Sequence, residues 1–164
     1  MIRPEDMAGV RALRGLEEPH LEKLAALASL RECPEGAVLF REGDDSRFIF
    51  VLLSGEITLE VKQDQQGATA VYAAGPGELL GWSPVLGRHA MTATARAVTP
   101  CRLAVLDGAR VADVCREDPA FGVAFLRELA LTVSDRLAVT RRCLAAAGRL
   151  SHLPAVAIRH EGSD

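Results

Sequence analysis

The sequence predicts an α+β chain that is mainly β. A jelly-roll barrel, or double-stranded β-helix, is flanked by N-terminal helices and followed by one long C-terminal helix. Three observations carry this. Between Arg31 and Leu106 the chain breaks into short pieces rich in Val, Ile, Leu, Thr and Phe. Turn residues separate them: Pro34-Glu35-Gly36, Gly43-Asp44-Asp45, Ser54-Gly55, Gly75-Pro76-Gly77 and Thr99-Pro100. On both sides of this region the apolar residues recur at helical spacing instead. Many short strands with regular turns argue for an antiparallel sandwich or barrel.

The elements follow in order. The first 30 residues look helical, with Leu21, Leu24, Ala25, Leu27 and Ala28 on one face and Pro19 at a helix start. The best strands are 38–40, 48–53, 56–62, 70–73, 92–98 and 102–106. Ile57, Leu59 and Val61 alternate with Glu56, Thr58, Glu60 and Lys62, which gives that strand one wet face. Asp107 can cap a short helix through Val114. Asp118-Pro119 then supplies a cap followed by a first-turn proline, and Gly148 supplies a stop. A helix over 119–147 would run about 43 Å. Leu126, Leu129, Val133, Leu137, Thr140 and Leu144 form a coiled-coil-like seam along it. Part of that seam can cover the barrel, and a second copy is the expected partner for the rest. The chain thus divides into a barrel unit over 1–118, a dimer helix over 119–148 and a tail over 149–164.

Composition narrows the function classes. Nineteen basic against 22 acidic residues leave a net charge of −3, with no bulk attraction to nucleic acid. No apolar run reaches the roughly 18 residues of a membrane span, and residues 1–10 have no signal-like apolar core. Cys33, Cys101, Cys115 and Cys143 form no C-x-x-C pair and read as reduced thiols of a cytoplasmic protein. His20, His89, His152 and His160 are isolated, so no metal site is expected. There is no G-x-S-x-G, P-loop or H-E-x-x-H. Aromatics are only 4% of the chain, with a single tryptophan, Trp82.

Particular residues carry a family resemblance. Leu16, Leu21 and Leu24 precede Pro34-Glu35-Gly36-Ala37-Val38-Leu39-Phe40-Arg41-Glu42-Gly43-Asp44. Next comes Phe50-Val51-Leu52-Leu53-Ser54-Gly55-Glu56-Ile57. Gly75-Pro76-Gly77-Glu78 and Gly81 continue, and Thr92 to Ala97 with Cys101 to Asp107 close the pattern. Over about residues 13–147 the chain resembles cyclic nucleotide-binding domains, and within them the sensor domain of Crp/Fnr-type regulators. The resemblance implies a jelly-roll pocket for a cyclic nucleotide, a dimer helix and a regulatory role.

The resemblance also places the pocket, where this sequence departs from its relatives. The phosphate-binding cassette corresponds to Gly81, Trp82, Ser83, Pro84, Arg88, Met91, Thr92 and Ala93. Relatives that bind cyclic nucleotides carry a ribose-binding glutamate where Trp82 stands, and a phosphate-binding arginine where Met91 stands. Pro84 falls in the run of backbone N–H donors and has none to give. Ser83-Pro84 is expected to start a short helix with Ser83 as its cap. Arg88 is a candidate substitute cation, against a solvated loop arginine, and Thr140 resembles a threonine that touches adenine in relatives, though it also fits the helix seam. Losing one partner of a buried charge pair costs about 2–5 kcal/mol, roughly 30- to 4,000-fold in affinity.

The expectation is therefore a non-catalytic regulatory module without a cofactor. It would not be a conventional cyclic AMP or cyclic GMP binder, and it would act as a homodimer through a protein partner. Direct DNA binding and membrane association are not expected. The alternative is a genuine nucleotide sensor using Arg88 and backbone donors. Trp82 and Met91 leave open whether the pocket is self-filled or remade for a more apolar ligand.

Overall fold

A computed structural model describes residues 2–45, 47–63, 67–88 and 90–146. The tail over 149–164, His89 and Gly148 lie outside the described residues. The chain opens with α1 (Pro4–Ala8), a 3-10 turn at Arg11–Leu13 and α2 (Glu18–Leu27). Eight strands follow: β1 (Ala28–Cys33), β2 (Val38–Phe40), β3 (Phe48–Ser54), β4 (Ile57–Gln63), β5 (Gly67–Ala74), β6 (Leu79–Leu80), β7 (Thr94–Ala97) and β8 (Cys101–Asp107). A 3-10 turn at Ser83–Leu86 separates β6 from β7. Then come α3 (Gly108–Glu117) and α4 (Pro119–Ala146). The strands form two antiparallel four-stranded sheets, ordered β1-β8-β3-β6 and β2-β7-β4-β5.

The architecture has three layers, and β3 shows why. Phe50 and Leu52 point between the sheets, into a core with Ile57, Leu59, Leu80, Ala95 and Leu103. Ile49 and Val51 point the other way, into a core with Met7, Leu13, Leu24, Val111, Phe121 and Phe125. A strand covered on both faces reads as a continuous apolar run, and β3 is such a run. Leu79 and Leu80 in β6 divide in the same way between the two cores.

The caps form as the sequence predicts. The Asp107 carboxylate accepts from the backbone N–H of Ala109 at 3.0 Å and of Arg110 at 3.4 Å, opening α3. The Asp118 carboxylate accepts from Phe121 N–H at 3.1 Å, opening α4. Several boundaries differ: the helix expected to end at Val114 runs to Glu117, the strand expected over 92–98 covers Thr94–Ala97, and that expected over 70–73 covers Gly67–Ala74. The helical spacing that includes Ala28 stops at Leu27, and Ala28 begins β1 instead. That strand lies at a sheet edge with Ser29 to Glu32 exposed, so it has no apolar alternation to announce it.

Phe121 locks the long helix to the barrel. It is fully buried, stacked on Phe125 at 5.7 Å and set edge-on to His20 at 5.6 Å. Phe121→Ala is expected to cost about 3–5 kcal/mol, read as a lower urea midpoint with an unchanged slope.

Candidate functional site

The cassette is built on the turn between β6 and β7. Gly81 has φ of +68°, and a Cβ there would meet the Phe48 carbonyl oxygen at 2.9 Å. Glycine is therefore required by both conformation and space. The Met91 methyl lies 3.3 Å from the same point. Met91 is buried, and its backbone is tied to the opposite loop. Its N–H donates to Asp44 O at 2.9 Å, and its carbonyl accepts from Gly43 N–H at 2.9 Å.

Three backbone donors of the turn are engaged within it. Val85 N–H donates to Trp82 O at 3.1 Å, Gly87 N–H to Pro84 O at 3.3 Å and Arg88 N–H to Ser83 O at 3.0 Å. Ser83 does not cap the turn as expected. It is the first residue inside, Trp82 stands before it, and no side chain caps the end. Pro84 turns away and packs on the start of α3, where a Cβ on Gly108 would fall 2.5 Å from the proline Cβ.

The largest finding at this site is Arg136, which reaches in from α4. Its guanidinium stacks over the Trp82 ring at 4.5 Å and over the Tyr72 ring at 4.4 Å. Its Nη2 donates to Leu79 O at 3.0 Å, while its Nε has no hydrogen-bond partner among the described residues. Burial disfavours its charge and pulls its pKa down, opposed by Tyr72 and Glu78. An arginine remains cationic even so. Two aromatic faces suit such a cation well.

Glu78 holds one wall of this sandwich. It is 6% exposed and accepts from the Tyr72 hydroxyl at 2.8 Å, from Gly75 N–H at 3.0 Å and from Arg11. Burial and the Glu78 carboxylate push the Tyr72 phenol pKa up, so it stays a donor. A chain of contacts thus runs from Arg11 through Glu78 and Tyr72 to Arg136 and Trp82.

A gap of about 60 Å3 lies beside this turn. Gly81, Trp82, Ser83, Met91, Thr92 and Ala93 line it, together with Phe40, Leu59 and Arg136. Six of the eight cassette residues named from the sequence are therefore together. Arg88 is exposed and Pro84 faces α3, so neither lines the gap. Thr140 also lies outside its lining, and its hydroxyl donates to Arg136 O at 2.9 Å within the helix.

The outer face of α4 carries a second feature. Val123, Leu126, Ala130, Val133, Leu137, Thr140 and Leu144 follow one another by alternating steps of three and four. Val123 is 71% exposed, Leu126 42%, Val133 38%, Leu137 48% and Leu144 38%. Leu129 departs from the predicted seam. It is buried within its own chain at 2% exposure, and exposed Ala130 takes its place in the outer stripe.

The profile of the cyclic nucleotide-binding domain matches residues 30–118, more than half of the chain. The chain belongs to the cyclic nucleotide-binding domain family. A Rhodopseudomonas palustris protein named as a potassium channel is 30% identical over 94 residues, 57% of this chain and 22% of that protein. Over 68 residues the chain is 38% identical to the Neurospora crassa lysophospholipase nte1, covering 42% of this chain and 4% of that protein. The chain therefore spans less than a quarter of either curated relative. A Geobacter metallireducens structure named as a cyclic nucleotide-binding protein is 27% identical, with a TM-score of 0.74. That match covers 84% of this chain and 99% of the other. The cyclic nucleotide-binding domain from Methylobacillus flagellatus shares the fold at a TM-score of 0.81 and 16% identity, covering 94% of this chain and 86% of that one. The family is a regulatory one, and among the described residues no helix is long and apolar enough to cross a membrane.

Proposed function

We propose that this chain is a non-catalytic regulatory module whose nucleotide pocket is filled by its own side chains. It does not bind cyclic AMP or cyclic GMP in the family's manner, and it works in the cytoplasm as a homodimer that contacts another protein. The observation that carries this reading is the Arg136 guanidinium held between Trp82 and Tyr72, which leaves about 60 Å3. Pockets for drug-sized ligands run from about 300 to 1,000 Å3. The missing carboxylate and arginine at positions 82 and 91 point the same way, as do the engaged N–H groups of Val85, Gly87 and Arg88.

The dimer reading rests on the exposed 3-4 stripe of α4, which a second copy would cover by coiled-coil packing. Arg136 is adjacent to Leu137 in that stripe, so one residue pair joins the pocket filling to the dimer face. Displacing Arg136 would therefore bear directly on the helix that pairs.

Calorimetric titration with cyclic AMP and cyclic GMP tests the pocket. No saturation is expected below about 1 mM. A dissociation constant at or below about 10 μM, roughly −7 kcal/mol, would overturn the reading in favour of a nucleotide sensor using Arg88 and backbone donors.

A further inference from the structure

The four cysteines are scattered in the sequence, but the fold brings two of them together. Cys33 ends β1 and Cys101 begins β8, and they are direct partners in the antiparallel register. Direct partners share a sheet face, with Cα atoms about 4.5 or 5.5 Å apart depending on the pair type. Both spacings lie within the roughly 4.4–6.8 Å that a disulfide spans. Both side chains belong to the core between the sheets, at 5% and 2% exposure. Both are free thiols, and Cys101 Sγ lies 3.2 Å from Thr99 O and 3.4 Å from Glu56 O as a donor.

The pair is near-buried yet not sealed. A surface cavity of about 480 Å3 is lined by both cysteines together with Glu32, Pro34, Ser54 and Pro100. It provides a route for a small oxidant. β1 is also an edge strand, exposed along Ser29 to Glu32, so its end can adjust without disturbing a neighbour on its outer side.

We propose that Cys33 and Cys101 are a reversible dithiol–disulfide modification site, oxidised by a peroxide. One thiolate sulfur attacks a peroxide oxygen of hydrogen peroxide and becomes a sulfenic acid, with the other oxygen leaving as water. The second sulfur then displaces the sulfenic hydroxyl, which takes up a proton and leaves as a second water. Two thiols are oxidised, one peroxide is reduced to two waters, and one S–S bond forms. A thiol reductant reverses the step by exchange. The product staples the edge strand that follows α2 to the centre of its sheet. Cys115, whose thiol burial pushes its pKa up, and exposed Cys143 have no partner role and serve as internal comparisons.

The test uses the full chain, treated with hydrogen peroxide, blocked with an alkylating reagent and digested with trypsin without reductant. The expected product is a disulfide between the peptides 32–41 and 97–102, lost on reduction. In a Cys115→Ser, Cys143→Ser variant the same link should form and raise the unfolding midpoint by roughly 5–15 °C. Reduction should return the midpoint to its starting value. The proposal is overturned if Cys33 and Cys101 are recovered alkylated at a peroxide dose that fully oxidises Cys143. It is equally overturned if the links that form run through Cys115 or Cys143 instead.

Discussion

Replacing Trp82 by glutamate and Met91 by arginine together should raise affinity for cyclic AMP roughly 30- to 4,000-fold. The carboxylate would again accept from the ribose hydroxyl, and the guanidinium would again meet the cyclic phosphate. The change would also remove one face of the aromatic sandwich that holds Arg136. With only Tyr72 remaining, Arg136 loses a cation–π contact of about 0.5–2 kcal/mol. Titration calorimetry on the double variant is the direct measurement. Loss of the indole removes the chain's one tryptophan signal, so binding has to be read by heat. A folded double variant with unchanged affinity would assign the closed pocket to Arg136 and the engaged turn, not to the two replaced polar groups.

A single charge on the outer stripe of α4 should convert a dimer into a monomer. Leu137 is 48% exposed and lies mid-stripe between Val133 and Thr140. In a paired helix its side chain would insert between residues of the other copy, and Leu137→Glu would bury two carboxylates against each other. Uncompensated interfacial charge costs several kcal/mol. Light scattering at tens of micromolar protein should show a dimer for the parent chain and a monomer for the variant. The barrel should be unaffected, because Leu137 makes no contribution to either core. A parent chain that is already a monomer at that concentration would remove the dimer from the proposed function. Leu129→Glu would be uninformative, since Leu129 is buried within its own chain at 2% exposure and a carboxylate there would destabilise the fold itself.

Much of the fold is legible from local signals. The turn glycines, the alternation in β4 and the aspartate caps at 107 and 118 all act within a few residues, so they are written in the sequence as short patterns. β1 is not, because an exposed edge strand needs no apolar period. Spacing also groups eight residues around Trp82, and six of them line one gap. What fills that gap is not legible in this way. Arg136 is far from both Tyr72 and Trp82 along the chain, and only its placement on α4 brings it over their rings.

By itself, then, the sequence determined the class of fold, the order of its elements and the apolar identity of positions 82 and 91. Those properties depend on residue type, short-range spacing and backbone conformation. The tertiary structure alone decided that Arg136 stacks over Trp82 and Tyr72, that Leu129 faces inward, and that Cys33 opposes Cys101. Each of these depends on strand register or on the face a long helix presents. Both are set by which apolar surfaces must be buried together, and no local pattern encodes them.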